Sequence, residues 1–293
     1  MLAFIKIYKT GGNTISALLR SQFGINHCDV QPWSTWSGQH MEHAFQASDL
    51  HKVRRLLPNL QSIAGHRVYP WSELEQEETD IKYFTLLREP ISRCISFYQY
   101  TTTIAQKQGI SPLPFVDWIH KENHHNQQTY MLSGSYDHIN AIDMIQRKRI
   151  FVGLTNRFDE SVVLLNDFAD TQLSVRYQAR NVTPSNEIAS KLKKDPAALK
   201  LLSEANQEDI RLFEYAVNEL FPQTIAQFGG KQVLDERVAQ LKSSSAKPNE
   251  YRLMTNRIFR NSVYKPALML YRMFPHKPIA ASVSNTASGK QVF

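Results

Sequence analysis

Cysteine is nearly absent: Cys28 and Cys94 are the only two in 293 residues, and neither sits in a Cys-x-x-Cys pair. That argues against a disulfide framework and a cysteine-built zinc site, and a reducing compartment such as the cytoplasm fits best. Long apolar runs are missing too. No stretch of about 18 apolar residues occurs, so no membrane span is expected. The opening Met1-Leu2-Ala3-Phe4-Ile5-Lys6 has no basic region followed by an apolar stretch, so no secretory leader is expected either. Acidic residues almost vanish after Gln240. From there to Phe293, nine Lys and Arg stand against Glu250 alone, so this segment carries +8 of a net +7 and the rest is near neutral at −1. Such a tail suits a polyanion, an anionic glycan or a membrane surface, or is simply solvated. Glycine is sparse, at 11 residues, which makes the adjacent pair Gly11-Gly12 conspicuous.

What is present reads as an α/β protein. Apolar runs at 2–8, 61–65, 81–87 and 150–154 are predicted as short buried strands, and helical periodicity fills the intervals between them. Helices are expected over 14–22, 49–57, 90–105, 113–121, 137–147 and 157–168, then from Asp195-Pro196 onward and over 205–221. Thr155 is the expected cap of the 157–168 helix. Residues 25–47 show no period and read as an irregular excursion that shapes a substrate cleft. Residues 1–235 form one domain in this reading, and 236–293 a basic extension. The extension opens on a linker at 242–248, is helical over 251–274, and ends in a small, polar segment expected to be disordered. Alternating strands and helices imply a parallel sheet covered on both faces, with ligands beyond the strands' carboxyl ends. Lys9, His66, Arg88 and Thr155 all fall there.

The most informative stretch is Phe4 to Ile15. A strand runs into Lys9-Thr10-Gly11-Gly12-Asn13-Thr14 and then into a helix. Bare glycine backbone and a helix N-terminus offer N–H groups to one anion, Lys9 adds a charge, and Thr10 and Thr14 add hydroxyls. The lysine precedes the glycines, unlike the Walker arrangement. Some eighty residues later, Arg88 ends a strand and Ser96 lies one to two turns into the next helix, a fork of donors plus a hydroxyl suited to a second phosphate. Pro90 suits that helix's first turn. Two separated phosphate grips imply a ligand with two phosphate ends.

These motifs resemble those of the carbohydrate sulfotransferases that use 3′-phosphoadenosine 5′-phosphosulfate (PAPS), the glycosaminoglycan O-sulfotransferase branch (sulfotransferase family 2). Tyr8-Lys9-Thr10-Gly11-Gly12-Asn13 is similar to their Pro-Lys-Thr-Gly-Gly-Thr loop. Leu87 through Tyr98 is similar to their Leu-Arg-[Asp/Glu]-Pro-x-x-Arg-x-x-Ser-x-Tyr motif. Gly65-His66 resembles a strand end of the family, Asn126–Gly134 and Val152–Ser161 resemble later blocks, and Arg180-Asn181-Val182 resembles the segment that closes over the nucleotide. Together the likeness spans roughly residues 3–220. Tyr8 and Asn13 depart from the usual Pro and Thr or Ser.

The resemblance implies a P-loop-like three-layer fold and a 1–235 sulfotransferase domain. Donor contacts fall on Lys9, Thr10, Gly11, Gly12, Asn13, Thr14, Arg88, Ser96 and Arg180, and adenosine 3′,5′-bisphosphate is the product. Lys9 neutralises the leaving oxygen, so no metal is required. His66 is the candidate base, with Glu42, His40 and His43 as rivals. His40, Glu42, Arg67, Gln128 and Thr129 are expected to meet the acceptor, a carbohydrate or glycolipid hydroxyl, with Trp33, Trp36, Trp71 and Trp118 as candidate sugar platforms. No nucleic-acid partner is implied. Two other readings stay open: a catalytically inactive polyanion-binding protein of the same fold, and a nucleotide-dependent kinase. The kinase would need a Mg²⁺ carboxylate and a lysine after the glycines.

Overall fold

The computed structural model describes residues 1–33, 44–121, 124–173, 187–243 and 248–274. Five parallel strands make the sheet: β1 (Leu2–Ile5), β2 (His27–Asp29), β3 (Ser62–Gly65), β4 (Lys82–Leu87) and β5 (Phe151–Leu154), in the order β2-β3-β1-β4-β5. β1 lies at the centre, all four of its residues buried, because Leu-Ala-Phe-Ile presents apolar side chains to both faces. Phe4 stacks on Phe84 of β4 at 4.7 Å between centroids.

The connections are helical: α1 (Gly12–Phe23), α2 (Ala47–Leu56), α3 (Pro90–Lys107), α4 (Phe115–Ile119), α5 (Gln127–Ser133), α6 (His138–Arg147) and α7 (Phe158–Ala169). Pro90 opens α3, and the Glu89 carboxylate caps it by accepting from the Ile91 and Ser92 amides at 2.8 and 2.7 Å. Then come α8 (Glu187–Lys194), α9 (Pro196–Ala205), α10 (Gln207–Tyr215), α11 (Phe221–Gln227), α12 (Lys231–Ser243), α13 (Glu250–Phe259) and α14 (Lys265–Met273). Asp195 caps α9 as its sequence suggests. Wide π turns at Ala216–Leu220 and Arg260–Tyr264 end two residues before Pro222 and Pro266. A proline ring clashes with the carbonyl four residues back, and the extra residue in a π turn relieves that clash.

Two expectations are corrected here. β1 stops at Ile5, so residues 6–8 belong to the loop. The stretch read as irregular contains the edge strand β2, which pairs with β3. The described part of the basic extension packs on the main body. Asn256 Nδ2 donates to the Gly24 and His27 carbonyls at 2.8 Å each, and the Tyr264 hydroxyl accepts from the Gln31 amide at 2.9 Å. Phe259, Tyr264 and Leu268 enter the main core. The Ser244–Lys247 part of the expected linker and the end segment 275–293 lie outside the described residues.

Candidate active site

Between β1 and α1 the chain doubles back through two left-handed residues, Lys9 at φ 70° and Gly11 at φ 88°. Glycine adopts that conformation without strain. Gly12 begins α1, and a Cβ placed there would lie 2.7 Å from the Lys6 Cγ, so the lysine stem closes over a bare backbone. No side chain caps α1 and no acidic residue occupies its first turn, which leaves its leading N–H groups and positive end for an anion. Thr10 is buried and its hydroxyl donates to the Ile7 carbonyl at 3.1 Å, so it closes the loop instead of offering that proton to a ligand. Thr14 is buried in the first turn and Asn13 is exposed.

Arg88 reaches the loop from the end of β4, its Nη1 donating to the Lys9 carbonyl at 3.0 Å. The main chain of Arg88 is clasped by Gln128, whose Oε1 accepts from the Arg88 amide at 2.9 Å and whose Nε2 donates to its carbonyl at 3.0 Å. Behind this clasp, the buried Asp209 accepts from the Gln128 amide (3.1 Å), the Thr129 amide (2.8 Å) and the Thr129 hydroxyl (2.9 Å). It faces the fully buried Arg93, with 3.8 Å between its carboxylate and Nε. Gln128 and Thr129, expected to orient an acceptor, are therefore corrected to a layer beneath the site. Both are fully buried, and the hydrogen bonds they make there hold Arg88 in place.

Thr155, expected at this edge of the sheet, supplies a third tie whose partners the sequence did not show. Its hydroxyl lies 3.0 Å from both the Thr10 and Leu87 carbonyls, joining the loop to the end of β4. It does not cap a helix, because a 3-10 turn (Thr155–Arg157) intervenes before α7. Ser96 is half-buried in α3. Lys9 is half-buried with its ammonium 4.6 Å from the Tyr100 ring centroid. Burial, and then the neighbouring Arg88 charge, lower its pKa. Burial lowers that of Arg88 too. Two cations held side by side favour an anion between them.

His66 follows the end of β3, beside the loop. Its Nδ1 lies 2.6 Å from the Lys6 carbonyl, which can only accept, so Nδ1 carries the proton and Nε2 the free lone pair. Its ring stacks on Tyr8. Burial, helped by the Lys6 charge, lowers its pKa to about 4, so the imidazole is neutral at pH 7.

Residues 1–216 match the sulfotransferase family. The chain belongs to that family. Among solved structures it is similar to a sulfotransferase from Alicyclobacillus acidocaldarius, at 12% identity over 69% of this chain and 94% of that one, with a TM-score of 0.39. No curated protein sequence matches the chain.

In this sulfotransferase, then, the loop, Arg88, Thr155 and His66 gather at the carboxyl edge of the sheet. Three expected site residues, His40, Glu42 and Arg180, lie outside the described residues, as do His43 and Trp36. Arg67 is half-buried and donates from Nη1 to the Tyr69 hydroxyl at 3.1 Å. Trp71 stacks on Tyr69 at 4.5 Å and lines a cleft of about 390 Å³ with Ser48, Ser72 and Gln76. The other described tryptophans pack inside: Trp33 against Tyr264 and Tyr271, Trp118 against His124. His124 and His125 bind different carbonyls, those of Trp118 and Ile119. Among the described residues, Asp137, His138 and Glu208 have ligand-compatible spacing. His138 there is already hydrogen-bonded to Glu208 at 2.6 Å. No helix among the described residues is long and apolar enough to cross a membrane.

Proposed function

We propose that this sulfotransferase uses PAPS as donor and a carbohydrate hydroxyl as acceptor, with His66 as general base. The observation that carries the reading is the contact between Arg88 and Lys9. It joins two motifs some eighty residues apart into one cationic crevice, as a ligand with phosphates at both ends requires. The loop fits such a donor, because a Cβ at Gly12 would collide with the Lys6 stem and the first turn of α1 is uncapped.

When bound, PAPS supplies the sulfuryl group and a bisphosphate leaving group. Lys9 and the leading N–H groups of α1 then face the charge that grows on the bridging oxygen, an electrostatic role worth about 3 kcal/mol per donor at the barrier. Arg88 and Ser96 hold the 3′-phosphate end. The neutral His66 Nε2 takes the acceptor hydroxyl's proton, while the Lys6 carbonyl steadies the resulting imidazolium through Nδ1–H. A carbohydrate acceptor is supported by the cleft that Ser48, Ser72 and Gln76 line, whose hydroxyl and amide groups can pair with sugar hydroxyls.

The test pairs calorimetric titration of adenosine 3′,5′-bisphosphate in the absence of Mg²⁺ with sulfate transfer from labelled PAPS to a panel of desulfated glycans. Binding plus transfer is expected, and His66→Ala should lower turnover by about a hundredfold or more while leaving nucleotide affinity unchanged. Nucleotide binding with transfer to no glycan would overturn the carbohydrate assignment, and full turnover in His66→Ala would remove the base.

A further inference from the structure

The inner face of α13–α14 is buried against the body, but among the described residues none covers its outer face. Tyr251, Met254, Ile258, Met269, Leu270 and Met273 are all more than half exposed, up to 71% for Tyr251. The solvent side of a surface helix would ordinarily carry polar residues. Single exposed apolar side chains need no explanation, but a row of six along one continuous helical rod does. Arg257 and Lys265 are exposed on the same rod. Over the rod there are five basic residues against Glu250 alone; Arg252, Arg260 and Arg272 turn to the Gln22 carbonyl, Asp29 and the Pro32 carbonyl, so Arg257 and Lys265 carry its outward charge.

The charge pattern discriminates among occupants. A second copy of the chain would bring like charges face to face. The chain's own 275–293 segment contains Lys277 and Lys290 and no acidic residue, so it offers no complement either. A soluble polyanion would pair with the basic residues and leave the methionine, isoleucine and leucine side chains in water. A bilayer with anionic headgroups satisfies both sets at once, since it accepts apolar side chains at the acyl boundary and attracts Lys and Arg above it.

We propose that the outer face of α13–α14 docks flat on an anionic lipid surface. The rod spans residues 250–273, a length of about 36 Å at the usual helical rise. Its buried side is fixed by Asn256 on Gly24 and His27 and by Tyr264 on Gln31. It therefore lies on the surface as a rigid rail and does not insert. It runs from beside the amino end of β2 to Pro32, beyond that strand's carboxyl end, where Arg272 donates to the Pro32 carbonyl. Its last turns thus reach the sheet edge that carries the crevice. The inference does not depend on the identity of donor or acceptor.

Flotation of the full chain with vesicles tests it, comparing pure phosphatidylcholine with phosphatidylcholine containing about 30% phosphatidylglycerol. Binding to the anionic vesicles is expected to be about tenfold or more stronger and to weaken at about 0.5 M salt. Two double variants, Ile258→Ser with Leu270→Ser and Arg257→Glu with Lys265→Glu, should each lower partitioning by about tenfold with an unchanged unfolding midpoint. Absence of flotation, or flotation undiminished in both variants, would overturn the proposal. So would a wild-type dimer in sedimentation velocity that Ile258→Ser with Leu270→Ser converts to a monomer, which would assign the face to a second copy.

Discussion

The imidazole of His66 lies flat on the phenol ring of Tyr8, with centroids 4.1 Å apart and planes within 3°. Phe97 of α3 stacks on Tyr8 in turn, at 5.4 Å. Tyr8 takes the position where the resembling loops carry proline. In this chain it contributes to the burial that keeps the imidazole uncharged.

Tyr8→Ala should expose His66 and let its pKa climb from about 4 toward 6.5. The acid limb of the kcat/KM profile would then move up by about one pH unit or more, while Tyr8→Phe keeps the wild-type limb. A pH–rate series on the three proteins checks this. An unmoved limb in Tyr8→Ala would separate the stack from the base.

The same burial makes stability depend on pH. Between about pH 4 and 6.5 the unfolded chain protonates His66 and the folded chain does not, so stability falls as pH falls through that window. The loss from pH 7 to pH 5 should be about 2 kcal/mol on this account, and His66→Gln should abolish that share of it. Urea unfolding at the two pH values gives the measurement.

Lys9→Ala removes the ammonium to which the proposed mechanism gives the leaving oxygen. Turnover should drop about a hundredfold or more, with a smaller loss of affinity for adenosine 3′,5′-bisphosphate because Arg88 and the helix terminus remain. Equal losses in turnover and binding would show that Lys9 acts on the ground state alone.

Asp209→Ala leaves Arg93 buried without its counter-charge and frees the amides of Gln128 and Thr129. Destabilisation of about 3–5 kcal/mol is expected, read by chemical denaturation. Gln128→Ala is the milder probe: the fold should persist while nucleotide affinity falls, because the Arg88 main chain loses its clasp.

Thr155→Val keeps the shape and deletes the hydroxyl shared by the Thr10 and Leu87 carbonyls. A cost of about 1 kcal/mol in stability and a weaker nucleotide Kd are expected, measured by thermal unfolding and calorimetry.

The strands and the loop were legible because apolar runs bounded by Gly, Pro and charged residues have few other solutions. Arg88 and Lys9 were legible for the same reason, since strand ends in a parallel sheet share one edge. β2 escaped because it has three residues, and His27-Cys28-Asp29 carries no apolar run. The directions of Thr10, Gln128, Thr129 and Thr155 escaped for a different reason. Each binds a partner distant in sequence or a main-chain carbonyl, and neither leaves a mark in spacing. Composition also left open how the C-terminal segment packs. A basic, linker-preceded segment reads as an extension, and its Phe259, Tyr264 and Leu268 help to fill the core.

That last packing bears on how the protein can be shortened. β2 ends the sheet, and Asn256 of α13 and Tyr264 of the π turn after it supply side chains to main-chain groups on either side of that strand. A chain cut near residue 240 would bare a strand rim and an oily trough together, the combination that invites strand-to-strand clumping. Loss of activity in such a fragment would report precipitation, so the contribution of this segment has to be probed by point changes on its outer surface.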